Sequence, residues 1–344
     1  MTIQTFILVS IIKIVICIGV LLTAVAYTVW LERKVVGHIQ NRWGPTRVGP
    51  FGLLQPLADG LKFIFKEDLL PPHVSKPLYI AAPMLALIFA LTSISVIPLG
   101  DWVSIAGIHT PLQITDVNIG LLIVLGVTSL GVYGVALAGW SSNSKYSLLG
   151  GLRASAQMIS YEIALGLSLV GVLVLAGSFS LHDIVEAQGG TFWGFVPRWN
   201  IFQGQFVAFF IYLMAAYAET NRVPFDLPEA ETELVAGYHT EYSAMKFAMF
   251  FMAEYANMIT VACLATILFL GGWKGLPYGP AWLQNLPVIW FVLKVFCFLF
   301  LYIWVRGTLP RFRYDQLMSF GWKFLLPLAI ANLVITALVV AVRA

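Results

Sequence analysis

Residues 3–31 read IQTFILVSIIKIVICIGVLLTAVAYTVWL, 29 positions with one charged side chain, Lys13. The run is continuous and does not alternate, so it reads as a helix long enough to cross a bilayer, which takes about 20 apolar residues, and not as a barrel strand. It has neither a basic start nor a small-residue cleavage site, so a retained first span is expected in place of a signal peptide. Trp30 and the run Glu32-Arg33-Lys34 put its end at a membrane–water interface. The same texture fills the chain: of 344 residues 59% are hydrophobic and 11% charged, more apolar surface than a soluble core absorbs. Eight spans are expected, near 3–31, 77–99, 117–139, 154–178, 203–220, 244–271, 284–306 and 323–342. The expected class is therefore all-α: a polytopic integral membrane protein of about eight transmembrane helices, forming one membrane domain over residues 1–344.

The basic residues orient these spans. Seven lie in the first loop, including Arg33, Lys34, Arg42 and Arg47, and the third, fifth and seventh loops add Lys145, Arg153, Arg222, Lys246, Arg306, Arg311, Arg313 and Lys323. The even loops hold only Arg198 and Lys274. By the positive-inside rule the odd loops are cytoplasmic and both termini lie on the outer side. The net charge of +3 then reflects topology and gives no sign of nucleic-acid binding. Cys17, Cys263 and Cys297 each stand alone in an apolar span, and the five histidines are scattered, so no metal, iron–sulfur or haem site is expected. Without a Walker loop, a GxGxxG or a Ser/His/Asp set, the chain has no visible means of redox or hydrolytic chemistry alone.

Three loops are more specific than plain connections. In the first, residues 32–76, the segment from Leu53 to Lys66 sets Leu54, Leu57, Leu61, Ile64 and Phe65 on one side and Asp59, Lys62 and Lys66 on another. This predicts an amphipathic helix lying on the cytoplasmic surface, able to roof an apolar cavity entered from the membrane. The third loop, WSSNSKYSLLGGLR, reads as a Ser-, Asn- and Gly-rich connection. The seventh, RGTLPRFRYDQLMSFGWK, combines basic and aromatic residues as a docking surface for a cytoplasmic protein would.

The fifth loop, residues 219–243, carries ETNRVPFDLPEAETELVAGYHTEY and six of the 17 acidic residues. Pro224 and Pro228 stop the preceding helix, and Asp226 followed by Glu229 reads as an N-cap with its capping-box partner. From that start Glu229 and Glu233 share a face and Glu231 points about 200° away. Acids so close repel one another, and where water is excluded they raise one another's affinity for protons.

Glu162, Glu254 and Lys294 stand inside apolar spans, roughly 12–18 Å from the cytoplasmic ends. Each costs at least about 2.5–3.5 kcal/mol to insert, which favours an ion path or an ion pair over lone burial. The reading adopted is a proton path from Glu219, Glu229, Glu231 and Glu233 inward to Glu162 and Glu254, with Tyr161, Tyr255 and water between the carboxylates and Lys294 as a further member.

Four motifs then carry a resemblance: GPFGLLQPLADGLKFIFKED, NSKYSLLGGLRASAQMISYEI, RVPFDLPEAETELVAGYHTEYS and RGTLPRFRYDQLMSFGWK. Together they closely resemble the H-subunit family of bacterial NADH:quinone oxidoreductase, respiratory complex I, over essentially the whole chain. Thr46, Thr232 and Gly307 depart from the family's usual Asn, Ser and Trp. The resemblance implies a bacterial inner-membrane subunit that binds no cofactor itself. FMN and iron–sulfur clusters would sit in partner subunits, and small and antiporter-like membrane subunits would lie beside it. Quinone would be the substrate, in a chamber at the junction with the peripheral arm. Its entrance would be the first span, the surface helix and the sixth span, and Glu32, Arg33, Asp59, Arg222 and Asp226 would line its polar part. The alternatives are a membrane-anchor subunit of a related hydrogenase complex, which binds no quinone, and an independent secondary transporter. No inverted repeat supports the transporter; neighbouring genes for iron–sulfur and antiporter-like subunits would favour the complex, and an isolated gene the transporter.

Overall fold

The computed structural model describes residues 3–105, 108–192, 194–226, 236–277 and 286–343. Among these the helices are α1 (Ile3–Ile39), α2 (Gln55–Phe65), α3 (Lys76–Ser93), α4 (Gly120–Ser141), α5 (Lys145–Ala176), α6 (Leu181–Ala187), α7 (Phe206–Glu219), α8 (Ala244–Phe269), α9 (Pro287–Thr308), α10 (Tyr314–Phe320) and α11 (Leu326–Arg343). A π turn at Gly321–Leu325 joins the last two. Two antiparallel hairpins, β1 (Trp102–Ile105) with β2 (Ile108–Pro111) and β3 (Thr191–Phe192) with β4 (Val196–Pro197), are the only strands among the described residues.

Seven helical stretches are long and apolar enough to cross a membrane, as a polytopic membrane protein requires. The eighth expected span is shorter. Helix α7 has 14 residues, about 21 Å against a hydrocarbon core of about 30 Å. Turns at residues 201–204 delay its start, and it ends at Glu219 just before the proline-bearing loop. Helices α5, α8 and α11 pack against it. Gln205 at its head donates to Thr336 Oγ1 of α11 at 2.9 Å.

Two other helices exceed their expected limits. Helix α1 continues eight residues past Leu31, carrying Glu32, Arg33 and Lys34 inside the helix. Helix α5 begins at Lys145, so most of the expected third loop is helical. Its Gly150-Gly151 pair, a turn signal in sequence, serves close packing. A Cβ on Gly150 would stand 2.7 Å from the Gly237 Cα, and one on Gly151 3.0 Å from the Gly139 Cα.

Helix α8 is the axis of the bundle. Every residue from Met258 to Phe269 is buried, and α1, α2, α3, α7 and α9 all pack on it. Helices α3, α4 and α5 follow one another in contact, and α5 carries α7 and α11. Helices α1 and α11 lie on the flanks, with exposed rows such as Ile7, Ile11 and Val15, and Val334, Ile335 and Leu338.

Candidate functional site

Because α1 runs on past the expected interface, Glu32 stays within the helix and meets the N-terminal half of α8 at Tyr255. It is only 7% exposed. Its carboxylate accepts from Arg222 Nη1 at 3.2 Å and from Tyr255 Oη at 3.0 Å, and it also accepts from Arg306. Arg222 lies in the loop after α7, is 5% exposed, and turns its Nε to the Glu254 carboxylate at 2.7 Å. Its guanidinium carbon stands 4.1 Å from the centre of the Tyr255 ring. Two carboxylates thus meet two guanidinium groups with an aromatic floor, which is what buried charge requires. Burial opposes the Arg222 charge, but Glu254, Tyr255 and Glu32 outweigh it and hold the group firmly protonated. Glu254 lies ten residues into α8, about 15 Å along its axis, so the loop bearing Arg222 descends among the helices to meet it.

Beside this cluster is a cavity of about 40 Å³, whose polar lining is Glu219, Thr220, Asn221, Tyr238, Glu254 and Asn257. One water needs about 10–15 Å³ by this measure, so the cavity has room for a few. Glu219 is also within electrostatic reach of Glu162, whose carboxylate accepts from Ser129 of α4. A polar line therefore runs from Glu162 through Glu219 and the cavity to Glu254, Arg222 and Glu32.

The structure divides the expected site residues. Glu32, Arg222, Glu254, Tyr255, Glu219 and Glu162 come together. Arg33 and Asp59 pair with each other at 2.5 Å at the rim, where Asp59 also accepts from Gln55 at 2.9 Å. Asp226 is buried and accepts from Arg311 at 3.2 Å. The Tyr161 hydroxyl points away from the acids and donates to the Leu317 carbonyl at 2.7 Å. Lys294 is not brought to the acids either. Its ammonium donates to the carbonyls of Leu270, Gly272 and Lys274 at 2.6, 2.9 and 2.6 Å, at the far end of α8. Those carbonyls follow a helix C-terminus, where a cation is stabilised. Glu229, Glu231 and Glu233, with the capping box expected at Asp226 and Glu229, lie outside the described residues.

Sequence reasoning misses Arg306, Arg311, Ser129, Asn221 and Asn257. The two arginines count there as topology signals and as part of a basic docking loop, although each buried carboxylate has to find a cation. For the polar residues no signal exists, since Ser and Asn within apolar segments are common.

The sequence model of the NADH dehydrogenase family matches residues 12–337. An NADH-quinone oxidoreductase H subunit of Koribacter versatilis is 73% identical, with 99% of each chain covered. The H subunits of Protochlamydia amoebophila and Thermomicrobium roseum are 54% identical over 92% of each chain, and 52% identical over 94% of this chain and 93% of that one. The chain belongs to the H-subunit family of NADH-quinone oxidoreductases. At Gly307 the end of α9 lies close to the end of α1: a Cβ there would stand 2.8 Å from Ile39 Cδ1. Both helices contribute to the ion cluster of this H-subunit relative, through Glu32 and Arg306.

Proposed function

We propose that the chain is the membrane subunit of a proton-translocating NADH:quinone oxidoreductase, forming part of the quinone chamber and coupling quinone reduction to proton movement. The observation that carries this reading is the buried cluster of Glu32, Arg222 and Glu254 beside a cavity that Glu254 shares with Glu219. Quinone gains two electrons and two protons, so its chamber needs a nearby acid network and an apolar entrance. Helix α2, packed on α1 and α8, leaves Leu57, Leu61, Ile64 and Phe65 exposed for a lipid tail to pass. Glu32, Arg33, Asp59, Arg222 and Asp226 would face the head-group side. Protons would enter the line by way of Glu229, Glu231 and Glu233 and leave through Glu162 towards antiporter-like subunits. NADH, FMN and the iron–sulfur clusters belong to partner subunits docked on the basic loops. The membrane would be the bacterial inner membrane, with both termini on its outer side.

The test compares Glu162→Gln and Glu254→Gln in membranes containing the whole complex. Quinone reduction and the proton gradient should fall together by on the order of 10-fold or more, while NADH oxidation by an artificial acceptor persists. Equal loss of the artificial-acceptor activity would make the residues structural and remove the coupling role.

A further inference from the structure

The segment that bears Glu219 and Arg222 closes on itself at a single nitrogen. Gln157 of α5 is fully buried, and its Nε2 donates to the Ala218 carbonyl at 2.9 Å and to the Phe225 carbonyl at 2.8 Å. An amide nitrogen carries two protons, so both are used. Ala218 lies in the last turn of α7, where carbonyls run out of helical partners. Phe225 stands at the exit of the loop, after a turn in which its N–H donates to the Arg222 carbonyl at 2.7 Å. Between the two clamped carbonyls lie Glu219, Thr220 and Asn221, which line the cavity, and Arg222, which meets Glu32 and Glu254. The other half of the amide is left over: Gln157 Oε1 has no hydrogen-bond partner among the described protein atoms. An unpaired buried acceptor costs free energy, so this side chain is worth keeping for its donors. Turned over, it would set its oxygen against two carbonyl oxygens, so the loop fixes which way it faces.

We propose that Gln157 is a positioning residue for this site: by joining the two ends of residues 218–225 it holds Arg222 against Glu254 and Glu219 at the cavity. Its effect on turnover rests on the proton-path reading above, whereas its hold on the loop does not. The amide is neutral and exchanges no proton itself; it acts through the backbone it clamps. Other contacts bear on the exit of the loop, where the Phe312 N–H donates to the Pro224 carbonyl at 3.1 Å and the Phe225 and Phe312 rings stack 5.6 Å apart. Gln157 ties that exit back to the end of α7. The tie matters because misplacing a reacting group by about 1 Å can cost on the order of 100-fold in rate.

The test is Gln157→Met in the complete complex, which keeps the length of the side chain and removes both donors. A high-resolution map of the variant should show residues 218–225 displaced and the Arg222–Glu254 contact lengthened. Quinone reductase kcat per assembled complex should fall by about 10-fold with KM unchanged, and NADH oxidation by the artificial acceptor should persist. Gln157→Glu keeps the shape and, as the neutral acid, offers one donor in place of two, so its turnover should lie between those of Gln157→Met and the wild type. A loop in its wild-type place in Gln157→Met would overturn the inference whatever the turnover. Loss of assembly in both variants would also overturn it, by making Gln157 a residue of the fold and not of the site. A displaced loop with full coupled turnover, beside full activity in Glu254→Gln, would keep Gln157 as the clamp and remove the proton path.

Discussion

The two ends of α8 hold buried charge in opposite ways. At its N-terminal half Glu32, Arg222, Glu254 and Arg306 meet side chain to side chain. Past its C-terminus Lys294 hydrogen-bonds to backbone carbonyls and lies over the Trp199 ring, 4.5 Å from its centre, and around it Gln188 donates to the Ile267 carbonyl at 2.7 Å and Asn200 to the Leu268 carbonyl at 2.7 Å. Lys13 of α1 also donates to backbone, to the carbonyls of Pro111 and Gln113 at 2.9 and 3.1 Å. Carboxylates can exchange protons and partners, whereas carbonyls at a helix end can only accept. A charge inside an apolar span is therefore not by itself the mark of an ion path. The chemistry of its partner decides.

The comparison is broken most directly at Arg222. Replacing it by Met leaves Glu32 and Glu254 in one cluster with one cation fewer, and removing one partner of a buried ion pair costs about 3–5 kcal/mol. The expected result is poor assembly of the complex, read as the amount of intact complex in membranes and its thermal midpoint. Normal assembly of Arg222→Met would show that the cluster is not electrostatically closed. At the other end Lys294→Met removes a cation that donates three hydrogen bonds, with an expected cost of about 1.5–3 kcal/mol. Stability should fall while quinone turnover per assembled complex stays at the wild-type value. Loss of turnover in fully assembled Lys294→Met would return the residue to the proton path.

The fold is legible in the sequence because bilayer physics writes long apolar runs, and Glu162 and Glu254 stand out for the same reason, as charges within such runs. What stays hidden depends on distance across the bundle. Nothing near Glu32 in sequence announces Arg306, 274 residues away. Lys294 looks like a partner for Glu254 when depth along a span is counted from one side only, because that count ignores the reach of a lysine toward the nearer helix end. The glycines at 150 and 151 look like a loop for a related reason: the backbone they approach comes from other segments.

A smaller effect separates the turn before α8 from the cluster within it. His239 is packed edge-on against Tyr238 and Phe247, and burial pushes its imidazole down to about 4. The fold therefore favours the neutral ring. Above the usual value of about 6.5 the stabilisation is complete; as pH falls from there towards 4 the unfolded chain binds a proton that the fold does not, and stability declines by at most about 1.4 kcal/mol per pH unit. Protection factors across residues 237–247, the exchange rates normalised to the intrinsic rate at each pH, should fall between pH 6.5 and 4 in the wild type. In His239→Phe that fall should be absent. An unchanged pH profile in the variant would assign the effect to the neighbouring acids.

The smallest expected change in stability comes from the rim, and it sharpens what the surface helix does. Arg33 and Asp59 tie α1 to α2 through a pair whose arginine is half exposed, and such pairs contribute about 0–1 kcal/mol. Asp59→Asn and Arg33→Gln should each leave the thermal midpoint nearly unchanged, and the double variant should show a coupling energy below about 1 kcal/mol. Helix α2 has no buried residue, and apart from this pair it is held by packing such as that of Phe63 on Phe247 of α8. If it walls the quinone entrance, loosening it should raise the KM for quinone more than it lowers kcat, because the entrance governs access and not proton transfer. A photoreactive quinone analogue should label peptides of α1 or α2 in the wild type and label α2 less in Asp59→Asn. Labelling confined to α5 and α11 would place the entrance elsewhere and leave the Arg33–Asp59 pair as a surface contact only.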